Sequence, residues 1–257
     1  YKNFTKMNVT TKLLIFLLSF FYSSKCAFAQ IEDYKTNIIL IVADDLGYGD
    51  LGCYGQRVIK TPNIDRMAKE GILFTNHYTG STVCAPSRAC LLTGKHTGHS
   101  SVRGNAEGQL IKNNEPTIAK ILKEAGYVTG AIGKWGVGHP PPANDPQNKG
   151  FDYFFGYVNM WHAHNFYPEF LYKNGEKVEL PGNELFTVDG MNPWANKPEG
   201  TGVAKEKETY VHDLFDKEAL KFIDSNKDTA FFLYMAYNVP HANNEAGAFL
   251  GDRKSVV

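Results

Sequence analysis

The sequence predicts an α/β fold with a mostly parallel central sheet and helices on both faces. Three observations predict it. First, continuous apolar runs rich in Ile, Val and Phe recur, as in Thr36 to Ala43 (TNIILIVA) and Ala230 to Tyr237 (AFFLYMAY). Strands buried on both faces have this pattern. Second, helical segments with 3.6-residue periodicity alternate with those runs, which is the signature of an α/β sheet. Third, the runs end in turns loaded with chemistry: Asp44-Asp45, Gly133-Lys134 and Pro240-His241. In open parallel sheets ligands bind beyond the carboxyl ends of the strands, so these turns are expected to share one edge.

The elements follow in order. Thr36 to Ala43 is a strand that ends in Asp44-Asp45 and a Gly-rich turn from Gly47 to Gly55. Thr61-Pro62 has N-cap and N1 chemistry, and Asn63 to Glu70 is helical until Gly71. Ile72 to Tyr78 is a strand candidate, and Pro86 to Leu92 a short helix stopped before Gly94. Thr117 to Ala125 is a helix closed by Gly126, with the strand Tyr127 to Ile132 after it. Residues 138–149 carry four prolines and read as a loop. Leu171 to Leu180 is a hairpin around Asn174-Gly175. Glu206 to Asn226 is a long amphipathic helix with Tyr210, Leu214, Leu220 and Ile223 turned to the core.

Composition excludes several classes. Hydrophobic residues are 43% and charged residues 21% of 257, an ordinary globular balance that excludes disorder, collagen and coiled coil. Lys plus Arg and Asp plus Glu are 27 each, which argues against a generally basic nucleic-acid binder. From Met7 the chain reads as a secretory signal: Lys12, then the apolar run Leu13 to Tyr22, then Ala27-Phe28-Ala29 as a cleavage site. That run is too short to span a bilayer. The expected organisation is a signal peptide over 1–29, with 1–6 as upstream translation, and the N-terminal part of a larger domain over 30–250. A non-native tail is expected over 251–257, because DRKSVV matches the translation of a common sequencing-adapter end. The expected location is exported: periplasmic, secreted or on the cell surface.

Asp44 and Asp45 are adjacent carboxylates at a strand end. Such a pair repels unless a proton or a cation relieves it, and carboxylate oxygens suit Ca²⁺ or Mg²⁺. A solvated pair capping a turn is the alternative. Pro86 suits a first helical turn, which puts Cys84 at a helix N-terminus, where amides and dipole favour an anion. Arg88, four residues on, can return toward Cys84. By itself Cys84 also fits a structural half-cystine, Lys134 an exposed turn lysine and His241 a surface histidine. Removal of the signal leaves three cysteines, Cys53, Cys84 and Cys90, an odd count for an exported chain. His162 and His164 lie in a segment rich in Tyr, Phe and Trp. They fit a substrate pocket, a transition-metal pair or ordinary loop residues.

The longer string Thr82 to Gly94 (TVCAPSRACLLTG) resembles the first signature of the type I sulfatases. Gly126 to Trp135 (GYVTGAIGKW) resembles their second, and Asn37 to Asp50 their N-terminal metal strand. Thr61 to Asp65 and Val239-Pro240-His241 also fit. The resemblance covers about residues 36–245 and implies an alkaline-phosphatase-like fold. It implies that Cys84 is converted to formylglycine by a formylglycine-generating enzyme or its equivalent. The hydrated aldehyde then attacks the sulfur of a sulfate ester. It further implies that Asp44, Asp45 and residue 84 bind Ca²⁺, with Mg²⁺ as an alternative. Arg88 would orient the hydrated aldehyde, Lys134 would neutralise the sulfate, and His241 would contact the sulfate or serve as general acid.

The chain departs from that family pattern at Gly136, where many sulfatases have His in G-K-W-H-x-G; the nearest downstream histidine is His139. The family's later Asp-Asn metal pair and sulfate-binding Lys are also not found in this sequence. A sulfated small molecule or glycan is the expected partner, with a saccharide favoured by the aromatic segment. No nucleic acid and no transmembrane span are expected. A phosphoester hydrolase of the same superfamily and a catalytically degenerate sulfated-glycan-binding protein remain the alternatives.

Overall fold

The computed structural model describes residues 35–105, 110–137 and 146–244. The signal-peptide and tail segments, most of the Pro-rich loop and His139 lie outside the described residues. Eight strands and four α-helices organise the rest. The main sheet has the order β1-β8-β2-β3-β4-β5. Strands β1 (Ile38–Asp44), β2 (Val128–Lys134), β3 (Tyr153–Tyr157) and β8 (Phe231–Pro240) run parallel to their sheet neighbours within this group. Strands β4 (Phe170–Lys173) and β5 (Glu176–Glu179) extend it antiparallel. A two-stranded ribbon, β6 (Asn183–Leu185) with β7 (Ala204–Lys207), stands apart from the sheet.

Helices cover both faces, as the alternation predicts. On one face Ala85, Ala89 and Leu92 of helix α2 (Cys84–Thr93) and Ala119 of α3 (Ile118–Glu124) pack with Phe154, Phe232 and Tyr234. On the other, Val211, Phe215, Ala219 and Phe222 of α4 (Val211–Ser225) pack with Ile132, Phe155, Leu233 and Met235. Helix α1 (Pro62–Glu70) starts at Pro62 as expected, but Thr61 does not cap it through its side chain. Thr61 Oγ1 instead accepts from Gly52 N at 2.9 Å and donates to Asp65 Oδ1 at 2.9 Å, stitching the Gly-rich turn to the helix.

Four expectations are corrected. β1 is not buried on both faces: it is the sheet edge, with Ile39 46% and Ile41 56% exposed. The reason is geometric, since α4 packs on β2, β3 and β8 and does not reach the outer strand. Ile72 to Tyr78 forms no strand, and Ile72, Phe74 and Tyr78 are exposed. Helix α4 starts at Val211, because Glu206 and Lys207 are claimed by β7. Its core stripe differs in part: Leu214 and Ile223 pack against the core as expected, but Phe215 and Phe222 are its buried aromatic residues and Leu220 is 69% exposed. The Asn174-Gly175 hairpin forms as expected, both residues having positive φ (50° and 87°).

Candidate active site

The three chemically loaded turns converge at the carboxyl edge of the sheet. β1 delivers Asp44 through a register shift against β8, so that Asp44 pairs with Pro240 after Ala43 has paired with Tyr237. The next residue, Asp45, is left-handed at φ 63°. This turn divides the two carboxylates: Asp44 is buried and Asp45 is open to solvent. β2 delivers Lys134, which is fully buried. Gly133 makes that possible: its φ is +105°, and an added Cβ would sit 2.1 Å from the Ala236 carbonyl oxygen. Only glycine lets β2 turn Lys134 inward at that close approach to β8.

Helix α2 delivers Cys84 in its first turn and Arg88 one turn later. Asn105 Oδ1 accepts from Ala85 N at 3.0 Å and satisfies one of the free amides at that helix start. Arg88 is buried and reaches back across the sheet end. Its Nη1 donates to the Lys134 carbonyl at 2.8 Å and to Tyr234 Oη at 3.3 Å. Its Nη2 lies 3.0 Å from Asp44 Oδ1 as an ion pair. Its Nε is buried without a hydrogen-bond partner among the described residues. An orphaned guanidinium N–H beside Cys84 is a donor site for an oxygen-rich group.

Asp44 is the electrostatic centre. Lys134 Nζ donates to its Oδ2 at 2.6 Å, opposite the Arg88 contact on Oδ1. Burial pushes the carboxyl up, but Arg88 and Lys134 more than compensate and hold it at about 2. Cys84 is pulled in the same two ways. Burial raises the thiol, while the His241 hydrogen bond and the Lys134 charge lower it further, leaving it below its ordinary value. That hydrogen bond in turn raises His241. His241 Nε2 also lies 3.4 Å from Asp45 Oδ2.

His164 joins this cluster. Its Nε2 is 3.4 Å from Lys134 Nζ, and its ring stacks on His241 with centroids 4.3 Å apart. Burial, followed by the Lys134 and His241 charges, lowers His164 to about 3, so it is neutral at ordinary pH. The turn carrying it is pinned by Asn238 Nδ2 donating to the Ala163 carbonyl at 2.6 Å. The structure therefore brings together Asp44, Asp45, Cys84, Arg88, Lys134, His164 and His241. His162 is placed elsewhere: it is buried between Tyr157 and Phe170, with ring centroids at 4.9 and 4.5 Å. Burial lowers it to about 3.

Gly136 stands where the family motif has histidine. It is left-handed at φ +71°, and a Cβ there would lie 3.1 Å from Arg88 Cδ and 3.4 Å from Arg88 Nε. A side chain at 136 would press on the guanidinium, and His164 approaches Lys134 from the following segment instead. Tyr234 and Asn238 went unnoticed in the sequence because they sit inside an apolar strand with no motif around them. A cavity of about 240 Å³ opens over the site, lined by Asp44, Asp45, Thr82, Cys84, Ser87 and Arg88 among others.

The donor chemistry fits a hard cation in part. Asp44, Asp45 and Cys84 each offer an atom within 4.8 Å of the others, where the Cys84 sulfur marks the position of an oxygen in a converted residue. Ca²⁺ takes six to eight oxygens, so these three positions supply part of a coordination shell. Cys53, Cys84 and Cys90 are all free thiols.

Fold and site together define an α/β protein of the alkaline-phosphatase-like class, with a charged cavity at the carboxyl edge of a parallel sheet. Residues 36–254 match the family model described as Sulfatase, and the chain belongs to that family. It is 34% identical to an N-acetylgalactosamine-6-O-sulfatase of Bacteroides thetaiotaomicron, over 87% of this chain and 53% of that protein. It is 36% identical to human N-acetylgalactosamine-6-sulfatase, over 80% of this chain and 40% of the relative. Among solved structures it resembles a B. thetaiotaomicron protein described as BT33336S-sulf, from work on glycosaminoglycan metabolism. That match has a TM-score of 0.64 and 31% identity, covering 84% of this chain and 54% of the other. It also resembles Ps i-CgsB, solved with a neocarrahexaose, at a TM-score of 0.62 and 31% identity, over 81% and 46% of the two chains. The chain spans about half the length of these relatives.

Proposed function

We propose that this chain carries the nucleophile half of an exported sulfatase that hydrolyses a sulfate ester on a saccharide. The observation that carries the reading is the placement of Cys84. It sits at the start of a ten-residue helix, facing His241, with Arg88, Lys134 and Asp44 interlocked beneath it. The sulfatase relatives support sulfate as the ester, and their glycan names support a saccharide as the alcohol. The signal-like residues 7–29 support export. Among the described residues no helix is long and apolar enough to cross a membrane.

Conversion of Cys84 to formylglycine supplies a hydrated aldehyde oxygen as nucleophile in place of sulfur. Ca²⁺ at Asp44 and Asp45 supplies positive charge beside it. The residues of the chain do the rest. Asp44 and Asp45 are matched by Arg88 and Lys134, so the four side chains sum to no net charge, and a divalent cation makes the cavity attractive to a sulfate monoanion. Arg88, held by Asp44 and the Lys134 carbonyl, orients the nucleophilic oxygen through its guanidinium charge. Lys134 holds a proton-rich Nζ between Asp44 and His164, where it stabilises charge on sulfate oxygens. His241, whose Nε2 lies 3.4 Å from Asp45 Oδ2, gives a proton to the leaving alcohol oxygen. His164, neutral, faces Lys134 Nζ at 3.4 Å and positions it.

The test is a pair of matched aryl esters, one sulfate and one phosphate, given to protein whose conversion at residue 84 is verified by mass. Preferential release of sulfate is expected. Preferential release of phosphate would replace the reading with a phosphoester hydrolase of the same fold. Binding of sulfated glycan without release of either would replace it with a binding protein.

A further inference from the structure

Cys84 belongs to a second set of donors, formed with His164 and His241 beside the cavity. One atom each from Cys84, His164 and His241 lies within 4.8 Å of the other two, and all three residues are half-buried. A thiolate with two imidazoles is a borderline-soft set, which selects Zn²⁺ over Ca²⁺. We propose that the chain with the encoded cysteine at position 84 binds Zn²⁺ through Cys84 Sγ, His164 and His241, with water as the fourth ligand. Conversion of Cys84 to the aldehyde abolishes that site and leaves the hard-cation set. The first statement stands on the thiol alone; the second rests on the formylglycine reading above.

Several features of the site favour this set. His241 Nδ1 lies 2.6 Å from the Ala242 carbonyl oxygen. A carbonyl only accepts, so Nδ1 carries a proton, and Nε2, which faces Cys84 and Asp45, is the nitrogen that gives up its proton when a metal binds. Metal-bound histidines are commonly oriented by such a backbone contact. His164 is fixed through its backbone, its carbonyl accepting from Asn244 N at 2.8 Å. The competing hard set is less free, because both oxygens of Asp44 are held by Arg88 and Lys134. Asp45 stands beside His241 and supplies negative charge near the ion.

Two features set limits on affinity. The imidazoles stack within 14° of parallel, so their lone pairs do not meet at one point, and one ring must turn about its Cβ–Cγ bond. Lys134 Nζ, 3.4 Å from His164 Nε2, opposes a dication. On binding, the Cys84 S–H proton leaves to solvent as the Zn–S bond forms, and the thiolate offsets one of the two charges. Residue 84 is shared by both donor sets, so Zn²⁺ and Ca²⁺ compete for it.

The experiment uses Co²⁺ as a spectroscopic stand-in for Zn²⁺. The chain is produced without a converting enzyme, its intact mass confirming cysteine at 84, and is titrated with Co²⁺ alone. A thiolate-to-cobalt charge-transfer band and tetrahedral ligand-field bands are expected, displaced by Zn²⁺ and not by excess Ca²⁺. Cys84→Ser retains Cys53 and Cys90 and is expected to lose the charge-transfer band. His164→Ala and His241→Ala are each expected to weaken binding at least about tenfold. Asp45→Asn is expected to weaken binding less than either histidine variant, since it removes nearby negative charge and no soft ligand. Far-UV circular dichroism matching the parent establishes that each variant is folded. No band in the parent would overturn the site, as would a band unchanged in both histidine variants. Loss in Asp45→Asn with both histidine variants intact would assign the ion to the carboxylates instead. Equal Zn²⁺ affinity in converted protein would overturn the switch. Failure of converted protein to release sulfate would count against the proposed function and leave the zinc site standing.

Discussion

At the scale of single residues, burial decides which histidine works and which one packs. His164 and His162 are two positions apart, yet only His164 meets Lys134 and His241. His162 is sealed between Tyr157 and Phe170 with its Nε2 unpartnered. Its folded-state value is about 3 against an ordinary 6.5. The unfolded chain therefore takes up a proton near pH 6.5 that the folded chain refuses. Stability is full above that pH and falls as pH drops toward about 3. At a pH of about 5.5 this residue alone removes ~1 kcal/mol. His162→Leu keeps the apolar packing and is expected to shrink, by about that amount, the stability difference between about pH 7 and about pH 5.5 in urea unfolding. An unchanged difference would mean that the acid sensitivity lies elsewhere.

At the scale of elements, the strand ends do the positioning. β1 and β2 finish in residues of the cluster and β8 ends one residue before His241; β1 and β2 also depart from regular strand geometry there, by a register shift at Ala43/Asp44 and positive φ at Asp45 and Gly133. Gly133→Ala forces a Cβ to within 2.1 Å of the Ala236 carbonyl oxygen. Adding strain at a left-handed position to that clash is expected to cost about 3 kcal/mol or more and to pull Lys134 off Asp44. A shift of less than about 1 kcal/mol in the urea midpoint analysis would show that β8 yields easily. Much of this scaffold was legible in the sequence. Apolar runs marked β1, β2 and β8, Pro86 marked the start of α2, and Asn174-Gly175 marked the hairpin. The misses have physical causes. β3 is short and follows closely on the Pro-rich loop, and β7 was hidden because AKEK reads as the polar start of the helix that follows. Ile72 to Tyr78 has strand composition but no partner strand. Tyr234, Asn238 and the inward turn of His164 depend on contacts made across the sheet, which no local pattern records.

At the scale of the whole molecule, the described residues leave β1 as an outer strand of the sheet. A continuous apolar strand normally lies inside a sheet, yet β1 is outermost, and Ile39 and Ile41 share its open face. Unpaired, apolar strand edges promote association. Ile41→Lys is expected to shift this chain toward monomer in sedimentation velocity; an unchanged distribution would place any association surface elsewhere. The site itself joins residues from both ends of the described chain, from Asp44 to His241, and its charge is balanced only when all three strand ends and α2 are in place. The central claim is that Cys84 is the chemical centre of that assembly. It is tested most directly by measuring inorganic sulfate released from the aryl sulfate ester by the converted protein and by Cys84→Ala. The account predicts release by the former and none above background by the latter, with the variant as folded as its parent. Equal release by both would contradict it.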